Sequence, residues 1–251
     1  MLAFIIPLKS AKVSADWEKT SALFERCLKS TCSQSSDQFK TIVVCNEKPS
    51  INFHNKNIIY VQVDFLPPEK ETHKIARGLT DKGRKVLKGL VTAQDFSPSH
   101  VMTVDADDCV SNRLAEFVSR NSNDNGWYFN SGWKYRENDS KIYIKSWNFY
   151  TLSGTSNIIH TRHLNLPENP EYNRGYGYYK FYIDHQRVRQ AMQDFNAPMR
   201  ALPFPGSVYI LSTGDNMSGN EEKLSFSLFN RRKISQRLRE EFSLNPLNSQ
   251  Q

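Results

Sequence analysis

Val101-Met102-Thr103-Val104-Asp105-Ala106-Asp107-Asp108 is a short apolar run that ends in three carboxylates spread over four residues. It follows Pro98 and is rich in β-branched side chains, which predicts a strand buried on both faces of a largely parallel sheet. In open α/β sheets ligands bind outside the carboxyl ends of the strands, so these acids stand where a ligand is expected. If the chain stays extended, Asp105 and Asp107 point one way and Ala106 the other. Two carboxylates on one face repel unless a cation joins them, and hard oxygen donors favour Mg²⁺, Mn²⁺ or Ca²⁺ over zinc. Capping the helix expected from near Ser111 is the plainer role for such acids. A cap needs one acid, and this turn carries three.

Leu2 to Leu8 reads as a first strand and Asp16 to Thr31 as a helix, with Trp17, Leu23, Phe24, Cys27 and Leu28 on one face. Phe39 to Cys45 and Ile58 to Val63 are further apolar runs of strand character. Lys74 to Asp95 has mixed helical spacing, weakened by Gly78, Gly83 and Gly89. This alternation predicts a parallel α/β sheet in roughly the first 110 residues. After Gly126 the chain is dense in Trp, Tyr, Asn and Gly. There Trp127 to Tyr135, Lys141 to Trp147 and Gly154 to His160 read as strands, Tyr178 to Phe195 as a helix, and Glu221 to Phe242 as a C-terminal helix.

At 251 residues the chain has room for one large α/β domain. We divide it into an α/β half over 1–110, an acceptor-side half over 111–216, and a helical extension over 217–251. No window approaches the roughly 18 apolar residues that span a bilayer. Cys27, Cys32, Cys45 and Cys109 form no CxxC pair, which indicates neither zinc nor a disulfide framework and fits a reducing cytoplasm. A net charge of +7 allows nucleic acid, an anionic membrane or phosphorylated substrates as partners. The basic residues run along the whole chain with no nucleic-acid-binding pattern, so nucleic acid is not the expected partner. Arg231, Arg232, Lys233, Arg237 and Arg239 fall on the expected last helix. They form either a solvated face or a peripheral contact with an anionic membrane.

With the element order and the acidic strand end together, the chain resembles glycosyltransferases of the GT-A fold, in particular the family 2-like group, over about residues 1–216. Phe4-Ile5-Ile6-Pro7, Ile42-Val43-Val44-Cys45-Asn46-Glu47 and the DxD motif Val104-Asp105-Ala106-Asp107-Asp108 carry the resemblance. It implies a Rossmann-like, mostly parallel sheet flanked by helices, a mixed acceptor-side region and a C-terminal helix. It also implies that Asp105 contacts the ribose or uracil side of a nucleotide sugar, and that Asp107 holds Mn²⁺ or Mg²⁺ between its phosphates, with Asp105 and Asp108 beside it. Pro7, Asn46 or Glu47, Asp64 and Ala106 would line the nucleotide pocket, and Lys82 or Arg84 would meet the diphosphate. No His stands in Ser212-Thr213-Gly214-Asp215-Asn216, where the family often completes its metal site, so Asp215 is the ligand candidate there.

Sugar transfer with inversion needs a carboxylate to take the acceptor hydroxyl's proton. Asp184, after the Tyr-rich Tyr172 to Tyr182 segment, matches where the resemblance places that base, and Glu168, Glu171 and Asp194 are weaker candidates. The expected activity is metal-dependent, inverting transfer from a nucleotide-diphosphate sugar, UDP-linked, to a hydroxyl of a saccharide or lipid-linked saccharide. The competing readings are a nucleotidyltransferase, disfavoured by the glycine-free Pro7 to Lys12 loop, and a non-catalytic sugar- or nucleic-acid-binding protein.

Overall fold

The computed structural model describes residues 1–66, 74–211 and 227–247. Its first half contains β1 (Leu2–Pro7), α1 (Trp17–Cys32), β2 (Phe39–Cys45), β3 (Ile58–Gln62), α2 (Lys74–Ala93), β4 (His100–Thr103), β5 (Cys109–Val110) and α3 (Leu114–Arg120). Then follow β6 (Gly126–Tyr128), β7 (Gly132–Arg136), β8 (Lys141–Lys145), β9 (Asn157–His160), α4 (Tyr176–Ile183) and α5 (Val188–Asp194). The last elements are β10 (Arg200–Ala201), β11 (Ser207–Leu211), β12 (Arg231–Lys233) and α6 (Gln236–Phe242). The architecture is thus α/β with two mixed sheets. No helix among the described residues is long and apolar enough to cross a membrane.

The larger sheet runs β10-β6-β9-β4-β1-β2-β3. β1 sits centrally, parallel to β2 on one side and to β4 on the other, with Ile5 opposite both Ile42 and Thr103. Alternation within Leu2–Pro7 explains the layering. Leu2, Phe4 and Ile6 face Phe24, Cys27 and Leu28 of α1, while Ala3 and Ile5 face Val86 and Leu90 of α2. The chain winds from β1 outward to β3, then returns through α2 to β4 on the opposite side of β1. That reversal makes a crevice at the carboxyl ends of β1 and β4, the switch point where open sheets bind ligands. β9 joins β4 antiparallel, with Met102 opposite Ile158, and carries β6 on its other edge.

The second sheet runs β12-β8-β7-β11-β5. β5 pairs with β11 through Cys109 and Val208, so the Asp105–Asp108 turn is the corner at which the chain leaves one sheet for the other. Gly83 and Gly89, which weaken the helix by propensity, are close-packing points of α2. A Cβ at Gly83 would lie 2.4 Å from the Tyr179 Cβ of α4, and one at Gly89 2.5 Å from an Ile5 methyl carbon.

Three expected elements differ. Trp127 to Tyr135 is two strands in different sheets, because Asn130-Ser131-Gly132 is a turn sequence. Tyr178 to Phe195 breaks after Ile183, where Asp184-His185-Gln186-Arg187 offers four polar residues and no apolar face. The C-terminal helix shrinks to Gln236–Phe242, capped by the Ser235 hydroxyl accepting from Leu238 N–H. Arg231–Lys233 pairs with β8 as a strand, so only Arg237 and Arg239 of the basic cluster are helical. Residues 221–226 lie outside the described part.

Candidate functional site at the acidic corner

The corner begins where Val104 N–H donates to the Ile5 carbonyl at 2.9 Å, the last bond between β4 and β1. Beyond it, Asp105 N–H donates to Thr155 Oγ1 at 2.9 Å, and Asp108 N–H closes the turn on the Asp105 carbonyl at 3.0 Å. Ala106 packs onto the core beneath. Asp108 is fully buried, accepting from Ser153 Oγ at 3.0 Å and from Ile210 N–H at 3.1 Å. Burial, with the charges of Asp107 and Asp105 beside it, pushes its carboxyl well above the usual range. Its side chain ties the corner to β11 and to the 153–157 segment. Asp105 and Asp107 remain at the crevice, and Asp105 is ion-paired with Lys82. Burial alone would lower the Lys82 pKa, but Asp105 and its acidic neighbours outweigh it and hold the ammonium charged.

The segment Ser153-Gly154-Thr155-Ser156-Asn157 is the support that the sequence did not reveal. Its residues bond Asp105 and Asp108, and Ser207 Oγ of β11 donates to the Thr155 carbonyl at 2.6 Å. A Cβ at Gly154 would stand 2.7 Å from Asp105 Oδ2. Only the small polar character of these residues hints at such a role.

The charge run on α2 divides by direction. Lys82 reaches the corner, whereas Arg84 turns to Asp81 at 2.7 Å and to the Leu66 carbonyl at 2.6 Å. Lys85, fully buried, donates to the Leu8 carbonyl at 2.8 Å and to Asp81 at 2.7 Å, pinning the end of β1. Burial pulls the Lys85 pKa down, and Asp81 opposes the shift.

At the other strand ends, Pro7 closes β1, and exposed Asp64 lies two residues beyond β3. Glu47 accepts from Ser10 Oγ at 2.9 Å and from Ala11 N–H, so its carboxylate organises the loop after β1. Asn46 donates to the Val63 and Phe65 carbonyls at 3.3 and 3.4 Å, and its Oδ1 is buried with no partner. Asp184 is at the C-terminal end of α4 rather than opening a helix, 3.6 Å from Arg187. Its neighbour His185 feels the charges of Lys82 and Asp105, which sets this turn beside the corner. Asp215 lies outside the described residues.

Among the described residues no three His, Cys, Asp or Glu side chains gather as a metal-holding group. Asp105 and Asp107 still fit a hard divalent ion of the kind that takes one or two carboxylates and completes its shell with substrate phosphates and water. Burial first, then the charge of Asp105, raises the Asp107 carboxyl from 3.8 to about 6. The folded state therefore favours protonated Asp107, a contribution fully present below pH 3.8 and lost as pH rises through 6. Asp107→Asn, which cannot ionise, is expected to gain on the order of 1–2 kcal/mol over the native chain at pH 8 and nearly nothing at pH 4. Urea unfolding at the two pH values measures this, and an equal effect at both would contradict it.

No protein-family model and no curated protein matches the chain. Among solved structures it is similar to S. aureus TarS, with 13% identity and a TM-score of 0.45, covering 84% of this chain and 37% of that one. It is also similar to S. aureus TarS 1–349 in complex with UDP, with 11% identity and a TM-score of 0.43, covering 84% of this chain and 60% of that one. The chain thus spans less than two thirds of each. At these levels the likeness is too slight to assign a role to any residue.

Proposed function

We propose that the chain transfers a sugar from a nucleotide-diphosphate donor, UDP-linked, to a hydroxyl of a saccharide or lipid-linked saccharide, with inversion and with Mn²⁺ or Mg²⁺. The observation that carries this reading is the pair Asp105 and Asp107 at the switch point of the larger sheet, with burial and the charge of Asp105 raising Asp107 to about 6. Asp107 would hold the ion with Asp105, and the bound ion would neutralise charge on the departing diphosphate. Lys82, held at the corner by Asp105, would add a second positive charge facing the phosphates. Asn46, just past β2, would stand on the base side of the nucleotide pocket. Asp184 would accept the acceptor hydroxyl's proton as that oxygen attacks the anomeric carbon. Arg231, Arg232 and Lys233, exposed on the edge strand β12, would provide any peripheral contact with an anionic membrane.

Calorimetric titration of UDP and GDP, with and without Mn²⁺, tests the reading. UDP is expected to bind only with the ion, and Asp107→Ala to weaken binding by about 100-fold, as loss of a charged contact of 1.5–3 kcal/mol allows. Failure of both nucleotides to bind under every metal condition would remove it.

A further inference from the structure

The second sheet ends on one side in the strand pair β8 and β12, and this edge carries two features that transfer at the acid corner does not use. β12 runs antiparallel to β8, with Arg231 opposite Tyr143 and Lys233 opposite Lys141. The turn Leu228–Asn230 that leads into β12 therefore packs at the end where β8 finishes, and Trp147 stands two residues beyond that finish. Three large apolar side chains meet water here, Trp147 being 73% exposed, Leu228 69% and Phe229 89%. One such side chain on a surface is ordinary, but three at one end of a strand pair mark a contact surface.

The same two segments are basic and free of acid. Lys141–Trp147 and Ser227–Ile234 hold Lys141, Lys145, Arg231, Arg232 and Lys233, and neither Asp nor Glu. No ion pair among the described residues involves any of the five. Arg232 folds back onto the Phe229 and Arg231 carbonyls at 2.8 Å, which braces the turn behind its exposed tip.

Charge selects the partner. In a twofold contact with a second copy the patch would face itself and set five cations against five, which disfavours self-association. An anionic bilayer meets both features at once. Its phosphates attract Lys and Arg, and the boundary between head groups and acyl chains takes up Trp, Leu and Phe. The acid corner leads into β5, the opposite edge of the same sheet, about four strand spacings or roughly 19 Å away. Docking through β12 would leave that corner open to water.

We propose that the β8–β12 edge is a docking surface for anionic lipid, in which Trp147, Leu228 and Phe229 enter the membrane interface while the five basic side chains hold the head groups. This deepens the membrane contact in the reading above by naming the residues that insert. It is tested without nucleotide or metal, so it stands or falls apart from the donor site.

The test sediments the full chain with phosphatidylcholine vesicles, plain or containing about a third phosphatidylglycerol. The native chain should favour the anionic vesicles by at least about a hundredfold. Most of that preference should vanish as salt rises from about 0.1 M to 1 M and the screening length falls from about 10 Å to 3 Å. Arg231→Gln with Lys233→Gln should weaken binding roughly thirtyfold, about fivefold for each lost charge. Phe229→Ser should weaken it about tenfold, and the blue shift of tryptophan fluorescence on vesicles should be absent from Trp147→Ser. Arg120→Gln with Arg200→Gln, exposed charges on other elements, should keep the native binding. Equal binding to both vesicle types, unchanged binding in the patch variants, or an equal loss in the Arg120 and Arg200 control overturns the proposal. If the chain ignores vesicles and instead binds single-stranded RNA or self-associates through these side chains, the membrane surface falls as well. If UDP fails to bind while anionic vesicles bind through the patch, the docking surface stands and the donor reading falls.

Discussion

Asp81→Ala is expected to lower the unfolding free energy by about 3–5 kcal/mol, the range found when one partner of a buried ion pair is removed. Asp81 serves two buried cations at once, Arg84 and Lys85, and Lys85 in turn holds the Leu8 carbonyl beside the crevice. The penalty should depend on pH. Lys85 already has a lowered pKa through burial, and without Asp81 the main opposition to that shift is gone. The unfolded chain then binds more protons than the folded one over an interval ending at the ordinary lysine value of 10.5, so the variant's stability should climb with pH across it. Urea unfolding between pH 7 and pH 10 measures the slope. A flat profile would mean that Lys85 finds another anion, and Asp81→Leu combined with Lys85→Met should recover only the share due to Lys85, because Arg84 stays charged without its carboxylate.

Glu137→Ala should cost a similar 3–5 kcal/mol, or a fall of roughly 6–20 °C in melting temperature, for a reason that pH cannot relieve. Glu137, just past β7, grips Arg26 of α1 through two bonds of 2.7 and 3.1 Å, both side chains being 5% exposed. The pair rivets the first layer to the second sheet, and Arg26 extends to the Asn245 carbonyl at 3.5 Å. Guanidinium does not deprotonate in proteins, so an abandoned Arg26 stays charged. The loss should therefore be the same at pH 7 and pH 10, in contrast to Asp81→Ala. Thermal unfolding at both values checks it, and a change below about 1 kcal/mol would mean that water reaches the guanidinium.

The N-terminal strands were legible because they are buried on both faces, and an unbroken apolar run such as Leu2–Pro7 has few alternatives. The same logic set Asp105 and Asp107 just past the end of β4, although the chain turns at Ala106 and Asp107 there rather than staying extended. What lay hidden depends on contacts far apart in sequence. Nothing in Ser153-Gly154-Thr155 announces Asp108, which stands 45 positions before Ser153. In the sequence, the run Asp81-Lys82-Gly83-Arg84-Lys85 suits a solvated helix face as well as a contact of Lys82 or Arg84 with a diphosphate. On the helix, Lys82 instead turns to Asp105, whereas Arg84 and Lys85 are spaced three and four residues from Asp81 and share it. The break after Ile183 was hidden because Tyr178–Phe195 keeps helical spacing on both sides of four polar residues.

The antiparallel insertion of β9 beside β4 has a consequence for synthesis. β3, β2, β1 and β4 can assemble once His100–Thr103 has emerged, but the open side of β4 waits for Asn157–His160. At about 5–20 residues per second, the stretch between them takes the ribosome roughly 3–11 s to deliver. During that interval Val101 and Met102 stand on an uncapped edge, a template for pairing with another nascent chain. Early chaperone engagement between these two segments would shield the half-built sheet.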